Sequence, residues 1–371
     1  MRAPDPLSYF EREDEVERQA FAELKKRFVA EASPRHLREL PNFTFALIKP
    51  GCYARGLAPE VIRRLKSAGF RIVDYRIARF TPEIIDELYK FVKLKYANSW
   101  WIMEKVYTTS PTVALLLKGN PGASEHLSER LREILGPTTP DAGRPGQIRY
   151  DLKGVNRVLN LVHASDDPAA AVREALIFFD MGEVLDALAS ETDVEVPADS
   201  VTPESEVNIS RWGQLNAVKT RAAEHLDGGS ARVRELLSRE AEIVRANLPI
   251  DEERAELMPV EAELARWAMG EVERLAGVLV REARSRANVR DKRPVYREVD
   301  SRLTAAKIIL ALSDERFLAD FSEFDELLMA SIHYGFVEDD WEEIVAHSTW
   351  AVMPQMVRDL ESRGKPVISS A

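Results

Sequence analysis

The stretch Asn160-Leu161-Val162-His163-Ala164-Ser165-Asp166-Asp167 ends a short apolar run with a histidine and follows it at once with small and acidic residues. That pattern reads as a buried strand delivering an imidazole to the mouth of a site, with Ser165-Asp166-Asp167 opening the next helix. Upstream, Phe45-Ala46-Leu47-Ile48-Lys49-Pro50 puts a lysine at the end of another apolar strand. Arg132 and Arg149 lie around a loop of Gly, Pro and Thr. An imidazole is largely unprotonated and nucleophilic near neutral pH. Fixed cations stabilise the charge that a phosphoryl group in transit spreads over its oxygens. One neutral nucleophile among several cations is what phosphoryl transfer through a phosphohistidine needs.

A chain of 371 residues suggests two domains. With 45% hydrophobic and 30% charged residues, its composition is that of an ordinary soluble globular protein. No apolar run approaches the roughly 18 residues of a membrane span. Met1-Arg2-Ala3-Pro4-Asp5 lacks the apolar centre of a signal peptide, so no membrane partner is expected. The single cysteine, Cys52, excludes an intramolecular disulfide and fits a reducing cytoplasm. A net charge of −11 argues against a nucleic-acid partner, because phosphate backbones reward cationic surfaces. A local basic cleft is compatible with that balance.

Residues 8–30 show helical spacing of Phe10, Val16, Phe21, Leu24 and Phe28, an N-terminal amphipathic helix within a 1–41 extension. Strands are expected at Phe43 to Ile48, Phe70 to Ile77, Thr112 to Leu117 and Val158 to Val162. Helices are expected at Leu57 to Ala68, from Pro82 through Phe91, at Ser124 to Leu135 and at Pro168 to Phe179. Strands and helices thus alternate through residues 42–181, which makes a compact α+β domain. Residues 182–210 read as a linker, because Ala189 to Asn208 is rich in Pro and acids with little periodicity. Residues 211–371 show helical periodicity only, an all-helical domain. In that half, His333, His347 and the basic group Arg281, Arg284, Arg286, Arg290, Lys292 and Arg293 read as solvated helix charges.

Taken in order, the motifs of residues 42 to 180 resemble nucleoside diphosphate kinases. The resemblance implies a ferredoxin-like antiparallel sheet with helices on one face, and exchange of a γ-phosphate between nucleoside tri- and diphosphates through a histidine, with Mg2+ on the phosphates. It places the phosphoryl group on His163 and gives Glu174 the other ring N–H, with Ser165 supporting that glutamate. Lys49 matches the lysine against the γ-phosphate. Arg132 and Arg149 match the arginines on the diphosphate, and Thr138 a threonine donating to phosphate. Asn160 matches the asparagine near ribose and phosphate, Tyr89 the phosphate-side tyrosine, and Trp100 the aromatic that stacks on the base. Asp166 matches the acid that reaches Mg2+ through water. The family also implies a homo-oligomer.

The sequence departs from the family pattern at several walls of the site. Gly51-Cys52 stands for the usual Asp-Gly, Ala164 for the Gly after the nucleophile, Thr139 for an Asn and Tyr150 for a Gly. The nucleophile and the charged residues stay in place. Two further readings remain beside an active kinase: a nucleotide-binding or interaction module that keeps the fold, and a kinase redirected to a specialised nucleotide-like substrate.

Overall fold

The computed structural model describes residues 5–93, 100–226, 231–285 and 293–370, without the side chains of 282–298. Among the described residues, β1 (Phe43–Ile48), β2 (Arg71–Ala78), β3 (Thr112–Lys118) and β4 (Val162–Ala164) form one antiparallel sheet in the order β2-β3-β1-β4. This is the ferredoxin-like order. The central strands β1 and β3 are buried at every residue, which explains why they read as near-continuous apolar runs. On one face Ala46, Ile48, Val113, Leu115 and Leu117 join a core completed by Val61, Leu65, Leu127, Leu131 and Leu135. On the other face Phe45 stacks on Phe178 at 5.7 Å. Both faces are therefore covered, not one.

The chain divides into two units: residues up to 154 together with Leu159–Asn208, and Val155–Val158 together with residues from 209 on. The first unit contains α1 (Glu15–Glu31), α2 (Pro34–Glu39), α3 (Pro50–Ala54), α4 (Ala58–Ser67), α5 (Pro82–Leu88), α6 (Trp100–Thr108), α7 (Leu127–Leu135), α8 (Ile148–Asp151), α9 (Pro168–Ala175) and α10 (Met181–Ala189). The N-terminal segment is not one helix from residue 8. A 3-10 turn at Pro6–Phe10 precedes α1, whose N-cap Asp14 accepts from the N–H groups of Val16 and Glu17. The stretch expected to be a linker is packed. Val196 and Val201 belong to the core, and the Val194 N–H donates to the Ile72 carbonyl at 2.6 Å.

The last strand also differs. It begins at Val162 because Val155–Val158 belong to the second unit and Leu161 adopts φ 76°. A left-handed residue breaks strand alternation, so Leu161 and Val162 both enter the core. His163 pairs with Leu47 and takes the face on which Phe45 lies. Side chains opposite one another in a ladder share a face.

Every regular element described in the second unit is a helix: α11 (Arg211–Glu224), α12 (Ala231–Arg245), α13 (Ile250–Ser285), α14 (Arg293–Ser313), α15 (Glu315–Asp320), α16 (Phe324–His333) and α17 (Asp340–Ser362). Charges are buried inside it. Lys219 lies 2.9 Å from Glu240 and 2.7 Å from Glu261, all three fully buried. Arg254 binds both oxygens of Glu315, at 2.9 and 2.8 Å. His347, expected to be solvated, is buried with Nε2 2.9 Å from Asp325 Oδ1. Of the basic group near residue 290, Arg286, Arg290 and Lys292 lie outside the described residues. No described helix is long and apolar enough to cross a membrane.

Candidate active site

The site is built where the C-terminal end of β1 meets β4 and the start of α9. Lys49 follows β1, and its N–H donates to the Leu161 carbonyl at 2.9 Å, which ties the two strand ends together. His163, one strand position beyond Val162, has its Nε2 2.7 Å from Glu174 Oε2. Ser165 Oγ donates to the same oxygen at 2.5 Å. Glu174 is buried, and burial by itself would raise its pKa. The charge and hydrogen bond of His163, the Ser165 hydroxyl and the Arg173 guanidinium together outweigh that and hold the carboxyl below its usual range. An ionised carboxylate only accepts, so Nε2 donates to it, and in the neutral ring the lone pair is then on Nδ1. The imidazole is 19% exposed.

Lys49 is buried, with its Nζ 2.7 Å from Asn160 Oδ1. Asn160 in turn donates from Nδ2 to the Thr138 carbonyl at 3.2 Å, leaving the exposed Thr138 side chain pointing outside that bond. Arg149 is buried, and two of its donors engage main chain: Nη1 the Gly136 carbonyl at 2.7 Å and Nη2 the Val162 carbonyl at 2.6 Å. It clamps the loop after α7 onto β4, directly before His163. Gly136 ends α7 at φ 84°, where a Cβ would lie 2.9 Å from Gln147. Arg132 and Asp166, expected to serve phosphate and metal respectively, pair with each other at 2.8 Å on an exposed rim.

The aromatic residues are arranged differently from a bare stacking platform. Tyr89 lies edge-on to His163 with centroids 5.8 Å apart, and to Trp100 at 6.3 Å. Trp100 is buried and donates from its indole N–H to Asp86 Oδ1 at 2.9 Å. Lys93 holds the same carboxylate and lies 5.1 Å from the indole centroid. The more open ring of the pair is Trp101, 39% exposed.

Two participants were absent from the sequence reading. The Tyr107 hydroxyl is hydrogen-bonded to that of Tyr89, and Lys49 Nζ lies 5.8 Å from the Tyr107 ring. Burial pushes both phenols up, so each keeps its proton. Arg173 donates to the Glu87 and Leu88 carbonyls at 2.9 and 3.0 Å, joining α9 to the arm that bears Tyr89. Tyr107 looks like any apolar helix position in sequence, whereas Arg173, beside Glu174, carried a signal only in its adjacency.

The sequence profile of the family described as Nucleoside diphosphate kinase matches residues 42–184. A nucleoside diphosphate kinase of Kosmotoga olearia is 37% identical over 143 residues, covering 38% of this chain and 92% of that relative. One of Moorella thermoacetica is 33% identical over 143 residues, covering 38% and 96%. An NDP kinase structure from Pyrobaculum aerophilum aligns at 29% identity and a TM-score of 0.34, covering 39% of this chain and 98% of its own. On the sequence identity to relatives matched over nearly their whole length, this chain belongs to the nucleoside diphosphate kinase family.

Proposed function

We propose that the chain transfers the γ-phosphate of a nucleoside triphosphate to a nucleoside diphosphate through a phosphohistidine on His163. The observation that carries this reading is the bond between His163 Nε2 and the buried Glu174 carboxyl, which makes Nδ1 of the neutral ring the nucleophilic atom. The Nδ1 lone pair forms a bond to the γ-phosphorus as the bond from that phosphorus to the bridging oxygen breaks, and the diphosphate leaves with the electron pair. No proton moves in this step: Nε2 keeps its hydrogen, and Glu174 stabilises the positive charge that develops on the ring. A second diphosphate reverses the reaction at the same atoms.

Lys49, Arg132 and Arg149 supply fixed positive charge for the phosphates, Asn160 and Thr138 polar contacts, and Tyr89 with Trp100 the aromatic side of the cleft. A phosphate-borne Mg2+ fits the donors present. The Asp166 carboxylate is 81% exposed. Mg2+ normally keeps several waters and relies on one or two carboxylates plus substrate phosphates. When bound, the ion neutralises charge on the phosphoryl oxygens, and Asp166 would hold it through water. A homo-oligomeric assembly and a cytoplasmic location accompany this reading, and sedimentation of the full chain tests the first.

Incubation with γ-labelled ATP tests the chemistry. The expected label is acid-labile, base-stable, absent in His163→Ala and chased off by an added nucleoside diphosphate. ATP binding without label would favour the nucleotide-binding module instead, and label that ordinary diphosphates cannot chase would favour a specialised acceptor.

A further inference from the structure

Three elements that hold proposed site residues are each touched by the segment that precedes the matched region. Tyr9 lies edge-on to His126 with centroids 5.6 Å apart. His126 is the N-cap of α7, the helix of Arg132, and its Nδ1 accepts from the Glu129 N–H at 3.2 Å. Arg12 donates to Asp167 Oδ2 at 2.7 Å. Asp167 is the N-cap of α9, the helix of Glu174, and its other oxygen accepts from the Ala170 N–H at 2.9 Å. The Arg12 guanidinium also sits 3.7 Å over the Phe21 ring, and Phe21 packs at 6.0 Å on Phe91, two residues beyond Tyr89. Arg12 is the point where these contacts meet, with its side chain only 14% exposed.

We infer that Arg12 is a positioning residue for phosphoryl transfer at His163. Through Asp167 it fixes the first turn of α9, and with it Ser165 and Glu174, against the imidazole. Through Phe21 it ties that cap to the arm of Tyr89. The reason is geometric. Asp167 lies two residues after Ser165, so an unpaired, mobile cap would shift the hydroxyl and carboxylate that orient Nδ1. The rate of a positioned nucleophile depends steeply on such shifts. A guanidinium suits the task because it can pair with a carboxylate and lie over an aromatic ring at once. The inference rests on the phosphohistidine reading.

The test is single-turnover transfer from γ-labelled ATP with Mg2+ to the full chain, well below its melting temperature. Arg12→Gln keeps a stem over Phe21 and loses the charge; it should slow transfer about tenfold and change ATP affinity less than about twofold. Arg12→Lys should recover part of the rate. Asp167→Asn, which retains an oxygen to cap α9, should match Arg12→Gln, and the double variant should be no slower than either single. A folded Arg12→Gln protein with the wild-type rate overturns the inference, as do single effects that multiply in the double variant. If Arg12→Gln does not fold, a wild-type rate in Asp167→Asn overturns it alone. A wild-type chain that takes no label overturns the phosphohistidine reading and this inference with it, whereas normal wild-type labelling beside an unchanged Arg12→Gln rate overturns the inference only.

Discussion

His163 and Ser165 converge on a single oxygen of Glu174, from 2.7 and 2.5 Å. That oxygen faces two donors while the carboxylate stays charged in a buried place, so each bond is charge-assisted. Glu174→Gln keeps the shape and removes the charge. It should lower the rate of His163 phosphorylation by about a hundredfold with little change in nucleotide affinity. Ser165→Ala removes one donor and should cost about 1.5–3 kcal/mol of local stabilisation, read as a smaller rate loss. Equal rates in Glu174→Gln and wild type would refute the assignment.

Lys49 and Asn160 form a buried pair at 2.7 Å, and Asn160 is also bonded to the loop at Thr138. Lys49→Ala should lower kcat/KM by roughly two to three powers of ten, because a fixed cation near the transferred group is lost. Asn160→Ala should lower it less and should raise KM, because its first effect is on the placement of Lys49 and the loop. Steady-state kinetics on both variants decides; the reverse order would contradict this division of roles.

Arg132 and Asp166 pair on an exposed rim, where an ion pair contributes no more than about 1 kcal/mol to folding. Arg132→Ala and Asp166→Asn should therefore leave the melting curve nearly unchanged. The first should weaken nucleotide affinity at all Mg2+ concentrations, and the second should chiefly raise the Mg2+ needed for half-maximal rate. A large loss of stability in either would show that the pair is structural.

Lys219 serves two buried carboxylates at once, so the triad is one positive charge short. Burial and the neighbouring Glu240 push Glu261 well above its usual value, despite the opposing effect of Lys219. A raised folded pKa means that the folded state keeps a proton the unfolded state releases. Stability from this group is complete below the usual 4.5 and is lost as pH rises through the raised value. Lys219 is raised as well, because both glutamates outweigh its burial, so its contribution fades only in alkali above its usual 10.5. Urea unfolding across the pH range should show a decline toward alkali that Glu261→Gln flattens. Lys219→Met leaves Glu240 buried without its cation and should cost about 3–5 kcal/mol.

Trp100 and Trp101 make a contrasting pair. Trp100 is buried with its N–H bonded, so Trp100→Ala should cost about 3–5 kcal/mol. Trp101 is 39% exposed, so Trp101→Ala should cost under about 1 kcal/mol. Chemical unfolding measures both, and nucleotide affinity of the same variants shows which ring the base meets. Unchanged affinity in both would remove this arm from base recognition.

The sequence by itself determined strands at 43–48, 70–77 and 112–117, within a residue of those observed, the helices at α4, α5, α7 and α9 but not α3 or α6, and the helical character of residues after 211. Those features follow from local periodicity and from Gly, Pro and capping residues, which act over a few neighbours. It also indicated His163, Lys49 and Glu174 through the order of short motifs. Only the tertiary structure decided that Nε2 faces Glu174, because a ring orientation depends on a partner eleven residues away across a strand and a helix. The same holds for the left-handed Leu161 that joins Val162 in the core, for the packing of Val196 and Val201 in a stretch that reads as a linker, and for the burial of Trp100. The bond from Arg12 to Asp167 spans 155 residues. No periodicity encodes such a contact; it exists only once the folded chain has brought two distant segments together.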